Sequence, residues 1–323
     1  MVFCAPVGNR RRAAIGKRLE AGYQPAAGCQ PASPAATFRH GILRASVALV
    51  SWNGTSLNPM TATFIYPLTG FIEKTFVITE FELRKLRHDF TELVTRALQP
   101  ALWLLIFGQV FSRSGAMHTG NIPYLDFIAP GILAQSVLFV AIFYGINVIW
   151  ERDLGIVQKF LASPTPRAAL VLGKGFSAGF RTLSQAAIVY GLSLILGVKL
   201  NWSPLALLNV LVVVVLAATL FSTFSLIIAC IVKTRERFMG VGQVLTMPLF
   251  FASNAIYPTD IMPGWLKTIS HLNPLTYVVD ALRTFMLAGS ASTFTLSQDY
   301  AVILLTTTIL VFIGARLYPR LAT

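Results

Sequence analysis

The chain has 323 residues, of which 55% are hydrophobic and 12% charged, and its mean hydropathy is +0.67. This composition excludes a soluble globular domain, because a compact soluble fold of this length does not bury so much apolar surface, and it predicts a polytopic membrane protein. The formal net charge of +13 does not indicate nucleic acid as a partner, since membrane proteins concentrate Lys and Arg in cytoplasmic loops. The three cysteines include no CxxC pair and predict neither a disulfide framework nor a metal site.

Residues 1–69 differ from the rest of the chain because they are basic and rich in Ala, Pro, Gly and Ser. Residues 10–12 are three consecutive arginines, and the segment contains a single acid, Glu20. We expect a disordered extension. It is either an organelle transit peptide or the product of a start assigned upstream of a true initiator at Met60. The second interpretation is favoured, since a triple arginine and scattered prolines are also typical of translated upstream sequence.

Residues 70–323 are predicted to form an all-α membrane domain. Apolar residues recur at spacings of three and four before the first apolar stretch, which predicts an amphipathic helix at the membrane interface. These residues are Leu83, Leu86, Phe90, Leu93 and Ala97. Six apolar stretches are predicted to span the bilayer as helices. Their approximate ranges are 94–112, 124–150, 175–198, 205–232, 238–256 and 300–317.

The third stretch contains two features that bear on helix packing and on transport. Gly175 and Gly179 form a small-xxx-small pattern, which allows another helix to approach closely. Arg181 lies within the same stretch, near its inner end. Its long side chain either extends to the lipid headgroups or forms a polar element near a transport path, and the first interpretation is favoured.

A charged segment, residues 150–174, separates the second and third apolar stretches. Three apolar residues in it recur at helical spacing and predict a short helix with one apolar stripe. The stripe consists of Leu154, Val157 and Leu161. The opposite face carries Glu151, Arg152, Asp153 and Lys159. Pro164 and Pro166 end this helix and allow a second one to begin. The segment is either a contact site for a partner or an ordinary cytoplasmic loop.

Prolines interrupt the chain between residues 257 and 289, before the last apolar stretch. This pattern predicts two short re-entrant helices that enter the bilayer edge and return. The residues that mark the interruptions are Pro258, Pro263, Asn273 and Pro274. Asp280 and Arg283 follow one helical turn apart, where they are able to pair and so lower the cost of charge at membrane depth.

The distribution of Lys and Arg predicts the orientation of the six stretches. From residue 71 onwards, 15 of these residues lie before stretch one, between two and three, between four and five, or after six, and 4 lie on the opposite side. The side with more positive charge is cytoplasmic. Both chain termini and the segment 150–174 are therefore predicted to be cytoplasmic.

Two regions of the chain resemble the permease subunits of ABC-2 type transporters. The first contains ERDLG at 151–155, SPTPR at 163–167 and LGK at 172–174, and the second runs from Asn254 to Arg283 with LNPLTY at 272–277. With the six stretches and the leading helix, the resemblance covers residues 71–317. Exporters of the daunorubicin-resistance type are the most similar, and nodulation and polysaccharide exporters are near them.

This resemblance implies a half-transporter that forms a homodimer or heterodimer in the lipid bilayer and binds two copies of a separate ABC ATPase. ATP and Mg²⁺ are expected on that ATPase, and no cofactor on this chain. Residues 151–161 would be the coupling helix, seated in a cleft of the ATPase through Glu151, Arg152, Leu154, Gly155, Val157 and Leu161. Residues 257–287 would form the outer gate, with Pro258, Pro263, Asn273, Pro274, Asp280 and Arg283.

Catalytic motifs are absent from the sequence. There is no GxxxxGK[ST] phosphate loop, and the four histidines have no acid or Cys partner at useful spacing. The chain is therefore expected to be the permease of an ATP-driven exporter in the cell membrane, with a hydrophobic drug, a lipid or a lipid-linked glycan as cargo. If residues 1–59 are a transit peptide, the membrane is that of an organelle. The alternative function is a secondary transporter or channel that is not coupled to ATP.

Overall fold

The computed structural model describes residues 70–82, 98–114, 122–163, 165–232, 234–287 and 293–321. Within these ranges 86% of the residues are helical and no strand is present, which confirms the all-α prediction. An isolated bridge joins Leu200 to Leu287. Residues 1–69 and the apolar stripe from Leu83 to Ala97 lie outside the described residues, so the extension and the interface helix stay predictions.

The helices follow one another with short connections. Residues 70–82 form α1, and residues 98–114 form α2, which contains a π-helical stretch at Trp103–Gly108. The next helices are α3 (Tyr124–Phe143), α4 (Gly145–Asp153), α5 (Ile156–Ala162), α6 (Arg167–Ile195), α7 (Pro204–Ile231) and α8 (Arg235–Phe251). The last are α9 (Gly264–Leu272), α10 (Pro274–Met286) and α11 (Leu296–Leu317), with 3-10 turns at Thr259–Ile261 and Tyr318–Leu321.

In the described part of the chain, three helical segments are long and apolar enough to cross a membrane. They are Tyr124–Asp153, Pro204–Ile231 and Leu296–Leu321, which match the second, fourth and sixth predicted stretches. Helices α2, α6 and α8 occupy the positions of the other three stretches. Helix α8 ends at Phe251, before the predicted end at residue 256. The count of six spans therefore stays a prediction.

Helix α7 is the centre of the bundle, in contact with α3, α6, α10 and α11. Gly175 and Gly179 of α6 face it. A Cβ atom on Gly175 would lie 2.8 Å from Thr219 Cγ2, and one on Gly179 would lie 2.9 Å from Val215 Cγ1. These distances are too short for a side chain, so the two backbones approach closely only because glycine is present. The small-xxx-small prediction is confirmed.

The two short helices between residues 257 and 289 are present, and proline or asparagine sets the start of each. Pro258 precedes the 3-10 turn, Pro263 precedes α9, and Pro274 is the first residue of α10. Asn273 caps α10, because its side-chain oxygen accepts a hydrogen bond from the backbone N–H of Leu275 at 3.0 Å. Whether these helices re-enter the bilayer stays a prediction.

Candidate functional site

Residues 151–161, which were expected to form a single coupling helix, are divided between two helices. Helix α4 ends at Asp153, residues 154 and 155 form a turn, and α5 begins at Ile156. Gly155 has a φ of +70°, a left-handed backbone conformation that favours glycine. The spacing of apolar residues does not reveal this break, since one glycine changes the direction of the chain without changing the helical periodicity on either side.

The break separates the predicted apolar stripe. Leu154 lies in the turn and is 67% exposed, whereas Val157 is fully buried in the protein's own core with Ile78, Leu170 and Phe238. Leu161 is half-buried. The expectation that all three residues seat together in a partner's cleft therefore meets a geometric obstacle, because Val157 already has intramolecular neighbours. Leu154 is the apolar side chain that this turn presents outward.

An ion pair connects the turn to the start of α8. Asp153 accepts hydrogen bonds from Arg152 Nη2 and from Arg235 Nη2, each at 2.8 Å. The Arg235 guanidinium also lies over the Trp150 ring, 3.3 Å from its centroid. Exposed pairs of this kind contribute little stability individually. Their effect here is to orient the end of α4 relative to α8.

A buried ion cluster lies directly behind the turn. Lys174 of α6 donates to Glu82 Oε1 of α1 at 3.1 Å and to Glu151 Oε2 of α4, and all three side chains are almost fully buried. Tyr144, in the turn between α3 and α4, donates to Glu82 Oε2 at 3.0 Å and lies 3.1 Å from Ser177 Oγ of α6. Four parts of the chain thus meet at one set of charges.

The charge state of the cluster follows from its composition. Lys174 lies directly before the predicted membrane-spanning stretch 175–198 and therefore outside it. Burial by itself would lower the pKa of the Lys174 ammonium, but the carboxylates of Glu82 and Glu151 outweigh this effect and raise the pKa above its ordinary value. Lys174 therefore stays protonated, and the cluster holds one cation between two carboxyl groups.

Sequence reasoning missed most of this cluster. It placed Glu151 on the coupling helix, used Lys174 in the LGK motif and in the count of positive charges, and gave Glu82, Tyr144 and Ser177 no role. One local signal was present. Thr75, Thr79 and Glu82 recur at spacings of four and three, and all three are buried, so α1 has a polar face that points inward.

At the other end of the bundle, the structure places Asp280 and Arg283 on α10, both buried. Both carboxylate oxygens of Asp280 accept a hydrogen bond from the backbone N–H of Thr293 at 3.1 Å, and Oδ2 also accepts one from the N–H of Phe294 at 3.0 Å. Arg283 Nη2 donates to the carbonyl oxygen of Asn254 at 2.8 Å. These contacts join α10 to the segments after α8 and before α11. The proposed pairing of the two side chains with each other stays a prediction.

Asn273 also holds this region together, since its Nδ2 donates to the carbonyl oxygen of Leu249 in α8 at 2.6 Å. The guanidinium of Arg283 lies 3.9 Å from the centroid of the Phe127 ring in α3. The side chains of Pro258 and Pro263 have no hydrogen-bonding group, so these residues affect the structure by restricting the backbone. Among the described residues, no group of three His, Cys, Asp or Glu side chains has the arrangement of a metal site.

Comparison with known proteins decides the family. The family model described as ABC-2 type transporter matches residues 73–287, about two thirds of the chain. The chain belongs to the ABC-2 type transporter family. Both the turn at Leu154 and the helices α9 and α10 lie inside the match. The chain is therefore a membrane permease subunit of an ABC transporter and not an enzyme, and the family implies association with an ABC ATPase subunit.

This ABC-2 permease matches several relatives over most of their length. The transport permease ycf38 of Cyanophora paradoxa is 29% identical over 230 residues, which are 70% of this chain and 78% of the relative. The daunorubicin resistance permease DrrB1 of Streptomyces coeruleorubidus is 26% identical over 200 residues, which are 62% of this chain and 70% of the relative. The inner membrane transport permease YadH of Escherichia coli is 26% identical over 208 residues, which are 61% of this chain and 77% of the relative.

Proposed function

We propose that this ABC-2 permease belongs to an ATP-driven exporter and moves a hydrophobic drug, a lipid or a lipid-linked glycan out across the cell membrane. Six helices span the bilayer, with α2, α6 and α8 in addition to the three long apolar segments. Both termini lie in the cytoplasm, on the side where the sequence concentrates Lys and Arg. ATP and Mg²⁺ are held by the partner ATPase. Two permease chains, identical or different, form the transport path.

The observation that carries this proposal is the connection between the exposed turn and the buried ion cluster. Leu154 presents an apolar side chain to a partner, and Glu151 lies three residues before it. Glu151 is joined through Lys174 to α6 and to Glu82 of α1. A displacement of the turn by the ATPase would therefore move α4, α1 and the start of α6 together, because separating the charges in a buried site is costly.

The opposite end of the bundle supports an outer gate of two re-entrant helices. Helix α10 is buried among other helices, whereas α9 exposes Trp265, Ile269 and Leu272. Aromatic and aliphatic side chains of this kind are favoured at the membrane interface. In the proposal, α9 lies in the interface and α10 returns into the bundle, with Asp280 and Arg283 fixing it to its neighbours.

The cargo is the part of the proposal that a cellular experiment tests. A strain that lacks this chain should accumulate hydrophobic compounds and become more sensitive to them, and the wild-type chain should restore tolerance. The sequence predicts a drug or lipid in preference to a glycan, although a row of aromatic rings does follow α2 into α3, at Trp103, Phe107, Phe111, Tyr124 and Phe127. Loss of a surface glycan with unchanged tolerance of hydrophobic compounds would contradict that preference.

A further inference from the structure

A cavity of about 400 Å³ lies between α2, α3 and α6. Its apolar wall is formed by Pro100 of α2 and by Phe139, Val140 and Phe143 of α3. This volume is within the range of cavities that hold small-molecule ligands. Two aromatic rings and two aliphatic side chains favour an occupant with a hydrocarbon body.

Three polar side chains also line the cavity, and one of them has an oxygen atom with no hydrogen-bond donor among the described residues. Ser136 Oγ donates a hydrogen bond to the carbonyl oxygen of Ile132 at 2.8 Å, so its hydroxyl proton is not available to a ligand. Gln185 of α6 is 1% exposed, and its carboxamide oxygen has no hydrogen-bond donor among the described residues. Gln99 of α2 supplies the third polar group. A buried acceptor of this kind is unfavourable unless a ligand or water donates to it.

The charge of the occupant follows from the cavity lining. None of the described residues that line it is charged. Arg181 lies one helical turn before Gln185, but its guanidinium is placed over the Tyr144 ring, 5.4 Å from the centroid. A carboxylate or an ammonium in the cavity would lose its hydration without gaining an ionic partner. The lining therefore favours an uncharged molecule.

We propose that this cavity binds an uncharged amphiphile whose hydroxyl or amide N–H donates a hydrogen bond to Gln185 Oε1. The inference rests on the proposed export function, because it assigns a chemical class to the cargo. Phe143 of the cavity is followed directly by Tyr144 of the buried ion cluster. The occupant thus lies beside the elements that the ATPase is proposed to move.

Photolabelling of the full-length chain in lipid nanodiscs, without the ATPase, tests the proposal. The two probes are a diazirine analogue of dodecanol and its methyl ether, which has the same hydrocarbon body but no donor. At equal concentration the alcohol should label peptides of α2, α3 and α6 about fivefold more efficiently than the ether, as expected for one net hydrogen bond. Excess dodecanol should compete with this labelling.

The substitution Gln185→Leu removes the acceptor and keeps a side chain of similar size. Labelling by the alcohol should fall about fivefold in this variant, to the level of the ether. Gln243→Leu is the matched control, since Gln243 is exposed on α8 and does not line the cavity. It should be labelled like the wild type.

Equal labelling of the wild type by alcohol and ether would overturn the proposal, and so would unchanged labelling of a folded Gln185→Leu variant. If that variant does not fold, the comparison of the two probes on the wild type decides alone. Failure here is distinguishable from failure of the export function, because the latter is measured separately, by whether the wild-type chain restores tolerance of hydrophobic compounds to a strain that lacks it.

Discussion

At the scale of single residues, the charges behind the exposed turn are the most consequential feature. Lys174 is buried between Glu82 and Glu151, which belong to different helices. A buried ion pair adds little stability compared with apolar side chains that replace all of its charged members, because removing charges from water is costly. Removing one partner alone is different, since it leaves the remaining charge buried without compensation. The cluster therefore fixes the positions of α1, α4 and α6 more than it adds stability.

The first prediction concerns Lys174→Met. This variant leaves two carboxyl groups in a buried site without their cation, and the free energy of unfolding should fall by about 3–5 kcal/mol. Thermal unfolding of the purified protein in detergent measures the effect as a lower Tm. Exposed Lys159 provides the control, since Lys159→Met should change stability by no more than about 0.5 kcal/mol.

A combined variant separates the ionic explanation from simple loss of packing. Glu82→Gln and Glu151→Gln together with Lys174→Met remove every formal charge from the cluster, so most of the lost stability should return. If the combined variant is as unstable as Lys174→Met, the charges are not the cause.

At the scale of elements, α6 connects the ion cluster to the rest of the bundle. It runs for 29 residues from Arg167 to Ile195, with Lys174 near its start and Gln185 in its second half. Its close approach to α7 depends on Gly175 and Gly179, because a larger side chain at either position would meet Thr219 or Val215. Movement of the start of α6 would therefore be transmitted to α7, the central helix.

The second prediction compares two glycines on α6. Gly179→Leu should lower the free energy of unfolding by about 1–3 kcal/mol, because the added side chain forces α6 and α7 apart. Gly191→Leu is the matched control, since a Cβ atom there has no neighbour within 4 Å. Its stability should equal or slightly exceed that of the wild type, given the helix propensity of Leu over Gly. Equal destabilisation by both variants would show that the contact with α7 is unimportant.

At the scale of the whole molecule, hydropathy was sufficient to predict an all-α membrane domain, because long apolar stretches in a bilayer leave few structural alternatives to helices. The prolines at 258, 263 and 274 predicted the two short helices before the last apolar stretch, since they mark the boundaries of these helices. The resemblance to ABC-2 permeases rested on the region of these short helices and on the charged segment 150–174. These predictions depend on properties that are local in the sequence.

What the sequence did not reveal depends on contacts between distant residues. Glu82, Glu151 and Lys174 are far apart in the chain, and no spacing rule brings them together. Gln185 lies in an apolar helix, where a single amide gives no indication of whether it faces a cavity. The turn at Gly155 was missed for a different reason, since a left-handed glycine interrupts a helix without altering the apolar periodicity that was used to predict it.

The central claim is that the turn at Leu154 is the docking site of the ATPase. Leu154 is exposed, so Leu154→Asp should not disturb the fold, but it would place a charge in an interface core, where charged residues are depleted. Leu154→Met keeps an apolar side chain at the same position and is the matched control. Lys199→Ala, on the predicted opposite side of the membrane, is a second control.

The most direct measurement is the amount of ATPase that co-purifies with each variant at equal permease concentration. Leu154→Asp should reduce it by about tenfold or more, which corresponds to a loss of at least about 1.4 kcal/mol in binding free energy. Leu154→Met and Lys199→Ala should retain the wild-type amount. Full retention of the ATPase by a folded Leu154→Asp variant would contradict the account, because the turn would then be an ordinary loop.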